Sequence, residues 1–239
     1  MHPRKKAFFQ GCKVGLPVAF GYFSISVTFG VLAVQNGLTA LESTAMSIWV
    51  FAGASQFIAV SLIASAGWME IVLATFILNL RHLLMSTTLA RSIKTSTWKA
   101  AILSFGITDE TFVVSTIGKK DKLIEGSYFA GIALVSYSSW VIGTLIGALF
   151  GDFIPTSITS SMGIALYAMF IALLTPAIKE SKQKTIIAGT SAILCTLFYF
   201  LFPQLSYGWA VIFSTIGAAT LGLFLPTIEL QQPKEGEAA

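Results

Sequence analysis

From Val14 to Pro226 the chain is a series of apolar runs separated by short polar segments. The runs over 14–34, 68–89, 127–150, 161–178, 185–202 and 207–226 each come close to the ~20 residues a helix needs to cross bilayer hydrocarbon. Two further runs, 43–66 and 100–118, are interrupted, the first at Gly53-Ala54-Ser55-Gln56 and the second at Thr108-Asp109-Glu110-Thr111. The pattern predicts an all-α polytopic membrane protein with about six to eight transmembrane helices, in which 43–66 and 100–118 either cross or enter and return. Non-helical backbone at membrane depth is tolerated only where protein or a water-filled cavity satisfies it, so a break there marks a candidate binding site. For 43–66 the alternative is an ordinary helix with a small-residue packing face.

The basic residues collect between the apolar runs: Arg4, Lys5, Lys6 and Lys13; Arg91, Lys94 and Lys99; Lys119, Lys120 and Lys122; Lys179, Lys182 and Lys184. By the positive-inside rule such loops are cytoplasmic, and both termini are expected there. Segments 35–39, 151–160 and 203–206 lack basic residues and suit the outer face. Basic clusters flank 100–118 on both sides. With both interrupted runs re-entrant every basic loop is inside; with both crossing, only 91–99 is misplaced, so charge leaves the choice open. The chain then divides into a basic lead over 1–13, one transporter domain over 14–226 and a polar tail over 227–239. The first apolar run is too long for a signal peptide and is read as an uncleaved span.

Composition narrows the function classes. Of the 239 residues 55% are hydrophobic and 11% charged, with a mean hydropathy of +0.79. Soluble domains carry about twice that charge. The net charge of +4 sits in the loop clusters and does not signal nucleic acid. Cys12, Cys195, His2 and His82 supply neither a structural disulfide nor a metal set. No phosphate loop, zinc-protease motif or nucleophile elbow is present, so neither an enzyme nor a cofactor is expected.

Polar residues inside apolar runs carry the candidate chemistry. Arg81 costs at least ~2.5 kcal/mol in a membrane helix unless it finds a partner, water or the membrane edge; snorkelling to the headgroups is the bland alternative. Its two-pronged guanidinium suits a carboxylate, helped by backbone N–H groups if Gly53 to Gln56 begins a half-helix. Gly53, Ser55, Gln56, Asn79 and Arg81 are therefore the candidate substrate-binding residues. His82, Asp109 and Glu110 are the candidates for proton coupling, because adjacent carboxylates in an apolar segment disfavour full ionisation. The competing expectation is that one of the two carboxylates pairs with Arg81 or a loop lysine and fixes the fold. Asp152 is expected to cap or solvate a turn. Glu42 and Glu70 are expected to favour helix dipoles, without a functional role. Glycine and serine on the first and fifth spans, including Gly131, Ser136, Ser138, Ser139, Gly143 and Gly147, form faces suited to helix contact, within the chain or with a partner.

The glycine-rich stretch from Gly21 to Gly30, the Ser47 to Phe57 segment with Phe51-Ala52-Gly53-Ala54-Ser55-Gln56-Phe57, Asn79-Leu80-Arg81-His82-Leu83-Leu84-Met85-Ser86 and Thr108-Asp109-Glu110 occur in this order. Together they resemble the AzlC family of branched-chain amino acid permeases, over about residues 15 to 176. The resemblance implies the large subunit of a two-component exporter in the bacterial inner membrane. It would act with a small membrane protein of the AzlD type on leucine, isoleucine, valine and similar hydrophobic amino acids. The alternatives from other classes are a non-transporting scaffold or assembly subunit and a passive channel.

Overall fold

The computed structural model describes residues 3–116, 123–153 and 181–226, with isolated helical positions between 164 and 179. The described residues are helical almost throughout. The helices are α1 (Pro3–Gln35), α2 (Ala40–Trp49), α3 (Gly53–Leu62), α4 (Trp68–Ser92), α5 (Thr97–Ser104), α6 (Asp109–Thr116), α7 (Gly126–Phe150), α8 (Lys182–Leu201) and α9 (Tyr207–Leu223). Among the described residues α1, α4, α7 and α8 are long and apolar enough to cross a membrane. The expected span 161–178 lies outside the described residues apart from single positions, as do the tail 227–239 and the side chain of Asp152.

Two compact units result, Met1–Ser61 with Thr75–Gly163, and Leu62–Ala74 with Ile164–Ala239. The first is built on α1 and α7. A Cβ on Gly11 would stand 2.0 Å from the Tyr128 carbonyl oxygen, and one on Gly147 would stand 2.1 Å from that of Val27. Only glycine allows such an approach of two helix backbones. The contacts climb together, Gly11 on Tyr128, Gly15 on Ile132 and Gly30 on Thr144, so α1 and α7 run parallel. Gly131, Gly143 and Gly147 of α7 are thus spent on a contact inside the chain.

Both interrupted segments are broken helices. Past α1, Gly37 takes φ 95° and turns the chain, its N–H bonding Val34 O and that of Leu38 bonding Ala33 O. Thr39 then caps α2 in a reciprocal pair with Glu42. The Gln56 amide donates to Ser47 Oγ at 3.0 Å. In one straight helix residues nine apart lie ~13.5 Å along the axis and on opposite faces, so this bond requires the bend between α2 and α3. In the second segment α5 stops at Ser104 and α6 restarts at Asp109.

A two-residue parallel ladder decides where that second segment ends. Ile93 pairs with Ile124 and Lys94 with Glu125, and paired strands lie only ~4.8 Å apart. The chain therefore leaves for α5 and comes back after α6 at one level. Arg4, Lys94, Lys99 and Glu125 line a single cavity of about 530 Å³, which puts the start of α1 at that level too. The 25 residues of α4 carry the chain ~37 Å toward this face, and α1 carries it away. Segment 40–61 also goes in and turns back, since Phe51 packs on Tyr22 and Phe57 on Phe29, two turns nearer the end of α1. The folded chain realises the alternative in which both broken segments return.

In the second unit α8 and α9 run antiparallel, with Leu194 against Gly217 and Ile187 against Gly222. Gln183 Nε2 donates to the Gly222 and Leu225 carbonyls at the end of α9, at 2.8 and 3.2 Å. At its start the Glu70 carboxylate accepts from Ser206 Oγ and from the Trp209 N–H. Glu70 is buried and serves the first turn of a second helix as well as its own, satisfying donors that an isolated helix start leaves open.

Candidate functional site

The two helix breaks meet. Phe51, in the gap between α2 and α3, and Phe105, at the end of α5, have ring centroids 6.2 Å apart. Tyr137 of α7 stands edge-on to both, and Tyr22 of α1 packs on Phe51. Tyr137 also donates its hydroxyl to the Ile48 carbonyl at 3.0 Å, one of the oxygens left open where α2 stops.

Below Phe51 lies a closed ring of hydrogen bonds. Trp140 Nε1 donates to Gln56 Oε1 at 2.8 Å, Gln56 Nε2 donates to Ser47 Oγ, and Ser47 meets Thr144 Oγ1 at 2.8 Å. Thr144 returns its proton to the Trp140 carbonyl at 3.0 Å. Every member is buried, and a fully satisfied polar ring of this kind fixes one arrangement of the helices that supply it. Gly53 belongs to the same packing, since a Cβ there would stand 2.5 Å from the Trp140 ring.

Two further contacts place Ser55, Asn79, Arg81 and Asp109. Ser55 donates to Asn79 Oδ1 at 2.7 Å, joining α3 to α4. Arg81 Nη1 lies 2.5 Å from Asp109 Oδ2, joining α4 to the first turn of α6. His82, half-buried, follows Arg81 on α4. Arg81 Nε is buried with no partner among the described residues. In a guanidinium Nε and Nη2 form the edge that takes a carboxylate side-on, and the Nη1 bond to Asp109 does not use that edge.

Glu110 turns the other way, toward α1. The Tyr22 hydroxyl, buried, contacts Glu110 Oε2 at 2.5 Å and Thr108 Oγ1 at 2.6 Å. Thr108 caps α6: its Oγ1 accepts the Thr111 N–H at 3.2 Å, while Thr111 Oγ1 accepts the Thr108 N–H at 2.8 Å. The free N–H groups of this first turn favour the two carboxylates.

Thus Ser55 meets Asn79 and Arg81 meets Asp109, whereas Gln56 and Gly53 are occupied by Trp140 and its neighbours. Sequence reasoning passed over Tyr22, Ser47, Thr108, Thr111, Trp140 and Thr144. The two threonines flank the acidic pair in a spacing that signals a capped helix start. The partners on α1 and α7 carry no local signal.

A family described as AzlC protein matches residues 17–154. Inner membrane protein YgaZ of Escherichia coli is 30% identical over 209 residues, 84% of this chain and 85% of the relative. An uncharacterized membrane protein of Archaeoglobus fulgidus is 32% identical over 198 residues, 81% of this chain and 87% of the relative. Branched-chain amino acid transport protein AzlC of Bacillus subtilis is 24% identical over 197 residues, 81% of this chain and 77% of the relative. No solved structure matches. The match covers more than half of the chain, including both helix breaks and the Arg81 pair, and this multi-pass membrane protein belongs to the AzlC family.

Proposed function

We propose that the chain is the larger subunit of a secondary transporter, not an enzyme, that exports branched-chain and similar hydrophobic amino acids across the bacterial inner membrane. The substrate class rests on the name of the Bacillus subtilis relative. The observation that carries the reading is the Arg81 guanidinium, held through Nη1 by Asp109 with its Nε buried and unpartnered, where two broken helices meet. A zwitterionic amino acid placed between Arg81 and Asp109 turns one ion pair into two. Its carboxylate takes the Nε and Nη2 edge of the guanidinium, its ammonium faces Asp109, and the site's net charge does not change. Asn79 and Ser55 border this position, and the first turn of α6 adds the favourable end of a helix dipole.

Export is coupled to the proton gradient in this reading, with His82, Asp109 and Glu110 as the groups able to exchange a proton. In this reading both termini are cytoplasmic: the basic face that gathers Arg4, Lys94 and Lys99 supports it for the N-terminus, and the loop charges support it for the C-terminus. An AzlD-type small membrane protein completes the transporter. The α7 glycines, spent inside the chain, do not supply its docking surface. Labelled leucine supplied to inverted vesicles containing both proteins should accumulate. No uptake under any imposed gradient overturns the proposal in favour of a scaffold, and flux that never runs uphill overturns it in favour of a channel.

A further inference from the structure

The cavity of about 530 Å³ on the face where the second broken segment returns lies within the ~300–1,000 Å³ of small-molecule sites. Arg4 of α1, Lys94 just past α4 and Lys99 of α5 line it, against the single carboxylate of Glu125. Lys94 Nζ stands 4.0 Å from Glu125 Oε1, and both side chains are more than half exposed, so this pair neutralises little. Arg4 and Lys99 have no carboxylate at ion-pair distance among the described residues. Positive charge is therefore in excess, and an anion relieves it.

The lining changes character with depth. Thr95 lies against Gly126 and Gly106 against Ala133, so α5 climbs beside α7 in the same direction. Along α5 the wall passes from Lys99 to Ile102 and Leu103, and along α7 from Ser127 to Ala130. The cavity thus has a polar mouth and an apolar floor. Trp98, exposed, precedes Lys99, and aromatic and basic side chains together mark the headgroup level of a bilayer. Ser127 Oγ is buried and has no partner among the described residues. The caps of α5 and α7, Ser96 and Glu125, make no side-chain bond to the N–H groups behind them, so both helix starts keep donors for an incoming oxygen.

From this lining we propose that the cavity binds an anionic phospholipid, its phosphate among Arg4, Lys94 and Lys99 and its acyl chain over Ile102, Leu103 and Ala130. The phosphate oxygens accept from the three cations and supply the acceptor that Ser127 lacks. Basic pockets between membrane helices take anionic headgroups for this reason. A free phosphate would meet the same polar groups and leave the apolar floor facing water, so the depth profile favours the lipid. Bound there, the lipid bridges the start of α1 to the start of α5, where the segment carrying Asp109 and Glu110 leaves this face. The inference holds for whatever the protein transports and in whichever direction.

The test is native mass spectrometry of the full chain in detergent, titrated with phosphatidylglycerol, phosphatidylcholine and inorganic phosphate. Phosphatidylglycerol should bind at least about fivefold more tightly than phosphatidylcholine, and Arg4→Gln and Lys99→Gln should each weaken it about fivefold. Lys5→Gln, beside Arg4 in sequence but outside the cavity, should weaken it less than about twofold. Equal binding of the two lipids overturns the site. An equal loss in Lys5→Gln also overturns it, in favour of diffuse attraction to the basic face. Inorganic phosphate held through Arg4 and Lys99 where phosphatidylglycerol is not overturns the lipid in favour of a soluble phosphate. Arg4 and Lys99 are exposed, and the comparison of lipids on the wild type decides the matter if a variant does not fold.

Discussion

Arg81 Nη1 and Asp109 Oδ2 stand 2.5 Å apart and tie the middle of α4 to the start of α6. Removing one member of such a pair leaves the other charge uncompensated, which costs ~3–5 kcal/mol when the pair is fully buried. Here the side chains are 31% and 24% exposed, so the loss falls below that range. Arg81→Ala should lower the melting temperature in detergent more than the double variant Arg81→Ala/Asp109→Ala does. Equal melting would show that the two charges do not interact.

Arg81→Lys keeps the charge and loses the planar edge of the guanidinium. It should fold and still face Asp109, yet transport leucine poorly, with most of the effect on apparent substrate affinity. Normal transport by Arg81→Ala would remove the arginine from the substrate site.

The face shared by Arg4, Lys94 and Glu125 makes a topological prediction that holds for either orientation in the membrane. Single cysteines at positions 4 and 94 should react with an impermeant thiol reagent from the same side, and one at position 38 from the other. Labelling of 4 and 94 from opposite sides would mean that the broken segments cross.

Gly147 and Gly21 are both helical glycines, and the sequence alone does not rank them. A Cβ on Gly147 would meet the Val27 backbone at 2.1 Å, whereas nothing lies within 4 Å of one on Gly21. Gly147→Ala should destabilise by at least the ~1–3 kcal/mol typical of overpacking. Gly21→Ala should be neutral or stabilise by ~0.5–1 kcal/mol through helix propensity. Thermal unfolding of the two variants side by side checks this.

Glu42, at the exposed start of α2 and outside the crossing helices, has its carboxyl held below the ordinary range, first by the Thr39 N–H and then by the Thr39 hydroxyl. Because the folded value is the lower one, the contribution of this cap is present above the ordinary carboxylate range and lost as pH falls through the lowered value. Protection of the Glu42 and Ser43 amides, taken as exchange relative to the intrinsic rate at the same pH, should therefore fall on acidification in the wild type and be low at all pH values in Thr39→Ala.

What the sequence determined by itself is what hydrophobicity and local chemistry determine. Apolar runs fix the spans because lipid admits little else, and Gly53 to Gln56 and Thr108 to Thr111 mark the breaks because small or charged residues interrupt those runs. The acidic pair and Arg81 are visible because each is costly where it stands. Partnership across the chain was decided only by tertiary structure. Whether Asp109 or Glu110 faces Arg81 depends on a rotation about α6 of one residue, ~100°. Charge bias left the topology open because a re-entrant segment and a crossing have the same hydropathy, and the ladder of Ile93 and Lys94 on Ile124 and Glu125 closed it. Tyr22 had no signal of its own. A tyrosine in a glycine-rich helix acquires its partners only when the parallel packing of α1 on α7 and the return of α5 and α6 bring Glu110 within 2.5 Å of its hydroxyl.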